Sequence, residues 1–75
     1  MNATMKIRAQ SLAVGDKMRT RFLTGTVVKA EKSIDGRSGI VTMYIVVEHK
    51  NGTTACKTLP LGFPVTILER ELVYV

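Results

Sequence analysis

The stretch His49-Lys50-Asn51-Gly52-Thr53 decides the fold that the sequence predicts. Its Asn51-Gly52 pair supplies the positive φ that a two-residue type I′ turn requires, and β-forming residues flank the pair on both sides. Counting outward from a two-residue turn places Cys56 opposite Val47. We therefore expect a β-hairpin here, with that register between its two strands.

The two segments that flank this turn have the alternation of strands. Residues 40–49 place apolar side chains at every second position, so that one face of the strand is fully apolar. Residues 53–59 form the returning strand, and residues 60–64, with Pro60, Gly62 and Pro64, are a tight connection. Residues 65–69 are again rich in apolar side chains. The second half of the chain is thus predicted to be all strand and turn.

Upstream, a turn over residues 12–16 leads into a strand predicted over residues 17–22. Met18 is its inward residue, and alternation places its cations together on the opposite face. The next strand, residues 24–32, contains two adjacent valines, Val27 and Val28. Alternation alone does not say which of the two side chains points inward, and a bulge at this point would change the pattern. The register of this strand therefore stays open. Residues 33–39 are polar and glycine-rich, which predicts an exposed, mobile loop.

These segments predict an all-β fold, a small five-stranded barrel over residues 12–69. Residues 1–11 are expected to be a flexible N-terminal segment, and residues 70–75 a sixth short strand or a tail. No segment shows sustained helical periodicity, and a barrel removes the open edges of such a sheet. The expected core consists of Met18, Val28, Val41, Met43, Ile45, Val47, Leu59, Val65 and Ile67.

The order of these motifs resembles the Src-homology-3-like (SH3-like) small barrels. Val14-Gly15-Asp16-Lys17-Met18 is followed by Thr24-Gly25-Thr26-Val27-Val28, then by the hairpin and a short Pro-Leu-Gly-Phe-Pro turn. Within that superfold, the first two strands look most like those of KOW and related transcription or ribosome-associated domains. In size and pattern the chain also resembles small accessory proteins of bacteriophages and actinobacteria. The resemblance covers residues 12–69 and implies the fold rather than a set of binding residues.

Composition and charge narrow the class of function. A chain of 75 residues and 8.3 kDa holds one domain and has no room to enclose a deep catalytic cavity. The net charge of +5 favours an anionic partner. A lone cysteine, Cys56, indicates a reducing compartment, and we expect the cytoplasm. We expect neither a secretory signal nor a membrane span, because no apolar run is long enough for either.

The sequence contains few residues of the types that usually carry catalysis. Cys56 and His49 lie on either side of the hairpin turn without facing each other, which argues against a Cys-His dyad. No Cys or His pair sits at metal-ligand spacing, and no phosphate loop or dinucleotide fingerprint is present. We therefore predict a non-enzymatic protein with no metal and no cofactor.

Basic side chains support a binding function. We predict a positively charged strip that contacts nucleic acid, mainly through phosphates, with Tyr44 and Phe22 flanking it. The competing interpretation is that these cations belong to an ordinary solvent-exposed face of the barrel and bind no ligand, since Glu31 and Asp35 lie among them. The predicted nucleic-acid-binding residues are Lys17, Arg19, Arg21, Lys29, Lys32 and Arg37.

A protein-interaction module is the alternative prediction. The chain ends in apolar residues, which either dock on the barrel or bind a protein partner such as a host factor. An exposed strand edge would also allow a homodimer. The residues predicted for this interaction are Leu72, Val73, Tyr74 and Val75.

Overall fold

The computed structural model describes residues 4–68, and these form a single antiparallel sheet. The strands are β1 (Thr4–Arg8), β2 (Lys17–Arg19), β3 (Thr24–Ile34), β4 (Val41–Glu48), β5 (Thr54–Pro60) and β6 (Pro64–Leu68), with one 3-10 turn at Ala9–Ser11 after β1. Within the described residues the sheet has the order β1-β6-β2-β3-β4-β5. The predicted all-β class is confirmed.

The sheet is open, which differs from the predicted closed barrel of five strands. Its edges in the described residues are β1 and β5, because β6 pairs on one side with β2 and on the other with β1. The pairing of β6 with β1 extends from Thr4 opposite Leu68 to Arg8 opposite Pro64. The free side of β6 is thus occupied by β1 and not by β5, so the ring of strands is not closed.

Residues 4–11, for which we predicted a flexible segment, form β1 and the 3-10 turn. Ile7 packs against the core, and Ala9 is fully buried. The Ala9 N–H donates to the carbonyl oxygen of Phe63 at 2.9 Å, which ties the 3-10 turn to the connection between β5 and β6. Burial and these backbone hydrogen bonds together offset the entropy lost when the segment becomes ordered.

The β4–β5 hairpin forms where the sequence predicted it, but the predicted type I′ turn is wrong. Gly52 has a φ of 87°, whereas Asn51 does not adopt positive φ. The Gly52 N–H donates to the carbonyl of His49 at 2.9 Å, which fits a three-residue loop closed by a left-handed glycine. The Asn51 Oδ1 accepts from the Thr53 N–H at 3.1 Å and holds this form of the turn.

The longer loop moves the register of the hairpin by one residue. Cys56 lies opposite Val46, and Val47 lies opposite Ala55, so the predicted pairing of Cys56 with Val47 is wrong. Residues directly opposite each other in an antiparallel pair share a face. Cys56 therefore lies on the outer face of the sheet, and its residue is exposed.

Strand β2 is shorter than predicted and ends at Arg19 instead of residue 22. The Thr20 Oγ1 accepts hydrogen bonds from the N–H groups of Phe22 at 3.1 Å and Leu23 at 2.9 Å. The Thr20 N–H donates to the Leu23 carbonyl at 2.8 Å. A hydroxyl that satisfies the backbone locally competes with the sheet, so the chain turns at Thr20.

A β-bulge resolves the ambiguity between the adjacent valines of β3. The pairing with β4 shifts between Val27 and Lys29, so Val28 has no partner residue. Val27 is fully buried and Val28 is 42% exposed, so the expected core position of Val28 is wrong. Val41, also expected in the core, is half-buried. The observed core consists of Ala9, Leu12, Met18, Leu23, Val27, Met43, Ile45, Val47, Leu59, Val65 and Ile67.

The β3–β4 hairpin extends beyond the core. All of residues 31–40 are exposed, and the structure measures 44 Å along its longest axis against 27 and 26 Å along the others. At the hairpin tip the Asp35 Oδ1 accepts from the Arg37 N–H at 2.8 Å. This hydrogen bond holds the pKa of Asp35 below its ordinary value, with a further contribution from the Ser38 N–H.

Candidate nucleic-acid interface

A groove of about 840 Å³ lies on the outer face of the sheet. Strand β2 provides Lys17 and Arg19 on one side, and the β4–β5 turn provides Lys50 on the other. Thr24 and Thr26 of β3 lie between them, since Arg19 pairs with Thr24 and Lys17 with Thr26. Strands β6 and β1 extend the groove with Thr66, Leu68 and Thr4. Three cations from two separate elements thus line one concave, hydroxyl-rich surface.

The electrostatic character of the groove is positive. Its lining includes one carboxylate, that of Glu48, which lies opposite Thr26. Within residues 4–68 the structure has one ion pair, between Lys29 and Glu31, so no described carboxylate pairs with Lys17, Arg19 or Lys50. A concave surface with excess charge of one sign attracts ligands of the opposite sign.

Close packing of β3 against β4 forms one end of this groove. Gly25 has a φ of 152°, and a Cβ there would lie 2.8 Å from the carbonyl oxygen of Glu48 and 3.1 Å from the Cβ of Val47. Only glycine allows this approach without displacing the backbone of β4. The groove thus depends on glycine at this position, which brings Glu48 and the turn after it close to β3.

Of the six predicted cations, the structure brings Lys17 and Arg19 together in the groove. Lys29 is on the same face of the sheet, but the register places Thr26 and not Lys29 opposite Lys17. The Lys29 Nζ lies 3.4 Å from the Glu31 carboxylate and 5.8 Å from the centroid of the Tyr44 ring. Lys29 is thus already neutralised in part by a neighbour on its own strand.

The other three predicted cations lie outside the groove, which corrects the single strip. Arg21 does not share the stripe of Lys17 and Arg19, because β2 has ended and Arg21 belongs to the Thr20 turn. Lys32 lies opposite Met43, and Met43 is a core residue, so Lys32 belongs to the other face of the β3–β4 hairpin. Arg37 is in the loop at the hairpin tip. These cations therefore do not extend the groove.

The sequence analysis missed two cations, of which Lys50 lines the groove and Lys57 lies beside Phe22. Lys50 lines the groove because β4 ends beside the start of β3, with Glu48 opposite Thr26. Lys57 lies opposite the core residue Ile45 on the edge strand β5, so it belongs to the face of the sheet away from the groove, and its Nζ lies 5.3 Å from the centroid of the Phe22 ring. Neither position shows in sequence spacing, because both depend on contacts between distant elements.

Phe22 is the centre of a second cationic cluster. The guanidinium carbon of Arg21 lies 5.9 Å from the centroid of its ring, and the ring of Phe63 lies 6.1 Å away at an interplanar angle of 49°. Phe63 packs against the core, whereas Phe22 is 55% exposed. An aromatic pair with one buried and one exposed member thus lies beside Arg21 and Lys57.

Tyr44 and Cys56 interact on the outer face of the sheet. A side-chain hydrogen bond with Cys56, together with the charge that its thiol acquires on ionisation, raises the pKa of Tyr44 above its ordinary value. Both side chains belong to the face that carries Lys29. Tyr44 thus lies beside Lys29 and Phe22 lies beside Arg21, so the two aromatic residues do not flank one common strip of cations.

Three further observations concern other classes of function. No three His, Cys, Asp or Glu side chains within residues 4–68 form a group that would hold a metal ion. No helix in that part of the chain combines the length and hydropathy needed to cross a membrane. The predicted protein-interaction residues Leu72, Val73, Tyr74 and Val75 lie outside the described residues.

Comparison of the chain with protein-family models, curated proteins and solved structures finds no significant match.

Proposed function

We propose that the protein is a non-enzymatic module that binds nucleic acid in the groove formed by Lys17, Arg19 and Lys50. The observation that carries the proposal is the convergence of these three cations on one concave surface without a described carboxylate partner. Phosphates are the anions that such a surface contacts in a nucleic acid, and each neutralised phosphate releases bound counterions. The proposed location remains the cytoplasm.

The threonines between the cations support phosphate binding in particular. Thr24, Thr26 and Thr66 line the same groove, and hydroxyl groups are frequent donors to phosphate oxygens. Lysine, arginine and threonine contacts of this kind position a nucleic-acid backbone without reading base identity. We therefore expect weak sequence preference and strong salt dependence.

We also propose that the sheet is a variant of the SH3-like small barrels. Supporting observations are the single core on one side of the sheet and the hydrogen bonds from the 3-10 turn to the β5–β6 connection. On this proposal, these contacts would curl the sheet around its core. On this proposal, β1 is an addition at the edge of β6.

Salt-dependent binding tests the proposed function. The double substitution Lys17→Gln and Arg19→Gln removes two charges and keeps the first two methylenes of each side chain. If both cations contact phosphates, the slope of log affinity against log salt becomes shallower by about 1.4 for a single strand or about 1.8 for B-DNA. Fluorescence anisotropy of labelled oligonucleotides over a range of salt concentrations measures this slope.

A matched control is the double substitution Lys32→Gln and Arg37→Gln, which removes the same charge from the exposed β3–β4 hairpin. It should leave the slope nearly unchanged, because these residues lie outside the groove. Equal effects of the two double variants would mean that net charge and not the groove drives binding. Absence of binding to any oligonucleotide at physiological salt would overturn the proposal and favour a protein partner.

A further inference from the structure

The cluster around Phe22 has the chemistry of a second binding site. Phe22 is 55% exposed, yet its neighbour Leu23 is buried. The Thr20 turn thus contributes to the core through Leu23 and leaves the Phe22 ring at the surface. An exposed phenylalanine costs free energy in water, and coverage by a planar apolar ligand would recover it.

Two cations approach this ring from different elements. Arg21 precedes Phe22 in the turn, whereas Lys57 comes from β5, and both charges lie within 6 Å of the ring centroid at 5.9 and 5.3 Å. Neither has a carboxylate partner among residues 4–68, where the one ion pair is Lys29 with Glu31. Two like charges near one ring repel each other, and an anion between them would relieve this repulsion. The cluster therefore suits a ligand that has both a flat ring and a negative charge.

The backbone that carries the ring is also held in place before any ligand arrives. The Phe22 N–H donates to the Thr20 Oγ1 at 3.1 Å, and the Thr20 N–H donates to the Leu23 carbonyl at 2.8 Å. Phe63 supports one part of the ring from the core. A turn whose backbone is already ordered loses little backbone freedom on binding, which favours affinity.

The turn that carries Phe22 connects two strands of the proposed groove. Arg19 and Thr24 both line the groove, and they directly flank the turn that carries Phe22. We propose that Phe22 stacks on an unpaired base of a single-stranded nucleic acid whose backbone passes from the groove around the Thr20 turn toward the opposite face of the sheet, where Arg21 and Lys57 contact its phosphates. This inference rests on the proposed function and adds a preference for single strands, because the bases of a duplex are already stacked on each other.

The substitution Phe22→Trp gives a direct readout, since the chain contains no tryptophan. A base stacked on the indole quenches its fluorescence, and excitation at the red edge avoids the tyrosines. The probe is an oligothymidylate of about ten nucleotides, within the site sizes of small single-strand-binding domains. We expect saturable quenching by the oligothymidylate and none by an abasic oligomer of equal length, which carries the phosphates without the bases.

The matched control is Ile34→Trp, which puts the indole at another exposed position, on the distant β3–β4 hairpin. Its fluorescence should not respond to the oligothymidylate. The companion variant Phe22→Leu keeps an apolar side chain without a ring and should weaken oligothymidylate binding by about tenfold, within the range for one stacked base. Its affinity for a duplex should change by less than about twofold.

The outcomes separate the inference from the proposed function. Oligothymidylate binding that depends on Lys17 and Arg19 but leaves the fluorescence of the Phe22→Trp variant unchanged would overturn the stacking site and keep the groove. Equal quenching by the abasic oligomer would also overturn it, because phosphates alone would then explain the signal. If the wild-type chain binds no oligonucleotide, the proposed function fails, and the stacking site fails with it.

Discussion

The adjacent valines of β3 allow a sharp test of the bulge. Val27 is fully buried, whereas Val28 is 42% exposed and lines the groove. Substituting either valine by alanine removes the same two methyl groups and the same strand propensity. Any difference between the two variants therefore reports the difference in burial.

The magnitude follows from that burial. Removing two buried methyl groups at Val27 costs about 1.6 kcal/mol in transfer free energy at about 0.8 kcal/mol each. A residual cavity of a few tens of Å³ adds about 1 kcal/mol, so Val27→Ala should lower the free energy of unfolding by about 2.5 kcal/mol. Val28→Ala should lower it by about 0.5 kcal/mol, because the side chain is already partly hydrated.

Urea unfolding followed by far-ultraviolet circular dichroism measures both changes. With an m-value near 1 kcal/mol per molar urea, Val27→Ala moves the midpoint down by about 2.5 M and Val28→Ala by about 0.5 M. In thermal unfolding, Val27→Ala should lower the Tm by about 10 to 20 °C. Equal losses at the two positions, or a larger loss at Val28, would refute the bulge between Val27 and Lys29.

Two further predictions concern a close approach and a titrating carboxyl group. Gly25→Ala should lower the free energy of unfolding by about 2 kcal/mol or more, because its Cβ would lie 2.8 Å from the Glu48 carbonyl oxygen. Gly36→Ala, whose Cβ meets nothing within 4 Å, is the control in the same urea assay, and equal losses would contradict the close approach. The lowered pKa of Asp35 means that its hydrogen bond to the Arg37 N–H stabilises the hairpin tip above the ordinary carboxyl pKa of 3.8 and is lost as pH falls through the lowered value. An NMR titration of the Arg37 amide should give a midpoint below 3.8, absent in Asp35→Asn, and a midpoint above 3.8 would contradict the hydrogen bond.

The sequence predicted the strands whose two faces differ in polarity. Strand β4 was expected over residues 40–49 and spans Val41–Glu48, because its alternating apolar side chains permit one orientation against the core. The expected core residues Met18, Met43, Ile45, Val47, Leu59, Val65 and Ile67 are buried for the same reason. Alternation identifies a strand well when one of its faces is buried.

The exact hairpin loop and the end of β2 were not predicted, because each depends on a side chain that competes with the sheet for backbone hydrogen bonds. Whether Asn51 takes positive φ or accepts a hydrogen bond from the Thr53 N–H decides the length of the hairpin loop, and composition does not distinguish these outcomes. The same holds for Thr20, whose hydroxyl ends β2 early. Strand β1 was missed because its stability comes from β6, which lies at the other end of the described chain.

The candidate site was predictable only where its residues share a strand. Lys17 and Arg19 are two positions apart on β2, so alternation places them on one face. Lys50 reaches the same groove through the pairing of β3 with β4, and Lys57 reaches Phe22 across the structure. Convergence of side chains from separate elements is a property of the tertiary structure, which a single sequence without a recognised family does not specify.

The position of β6 between β1 and β2 has a consequence for the order of folding. Strands β2 to β5 pair with their neighbours in sequence and can assemble through short loops, whereas β1 pairs solely with β6 in the described residues. Closing such a long loop is slow, because the chain entropy must be lost before the contacts form. During synthesis, β1 therefore leaves the ribosome first and finds its partner last. In that interval Met5 and Ile7 belong to an unpaired strand, which another nascent copy can pair with before residues 64–68 arrive.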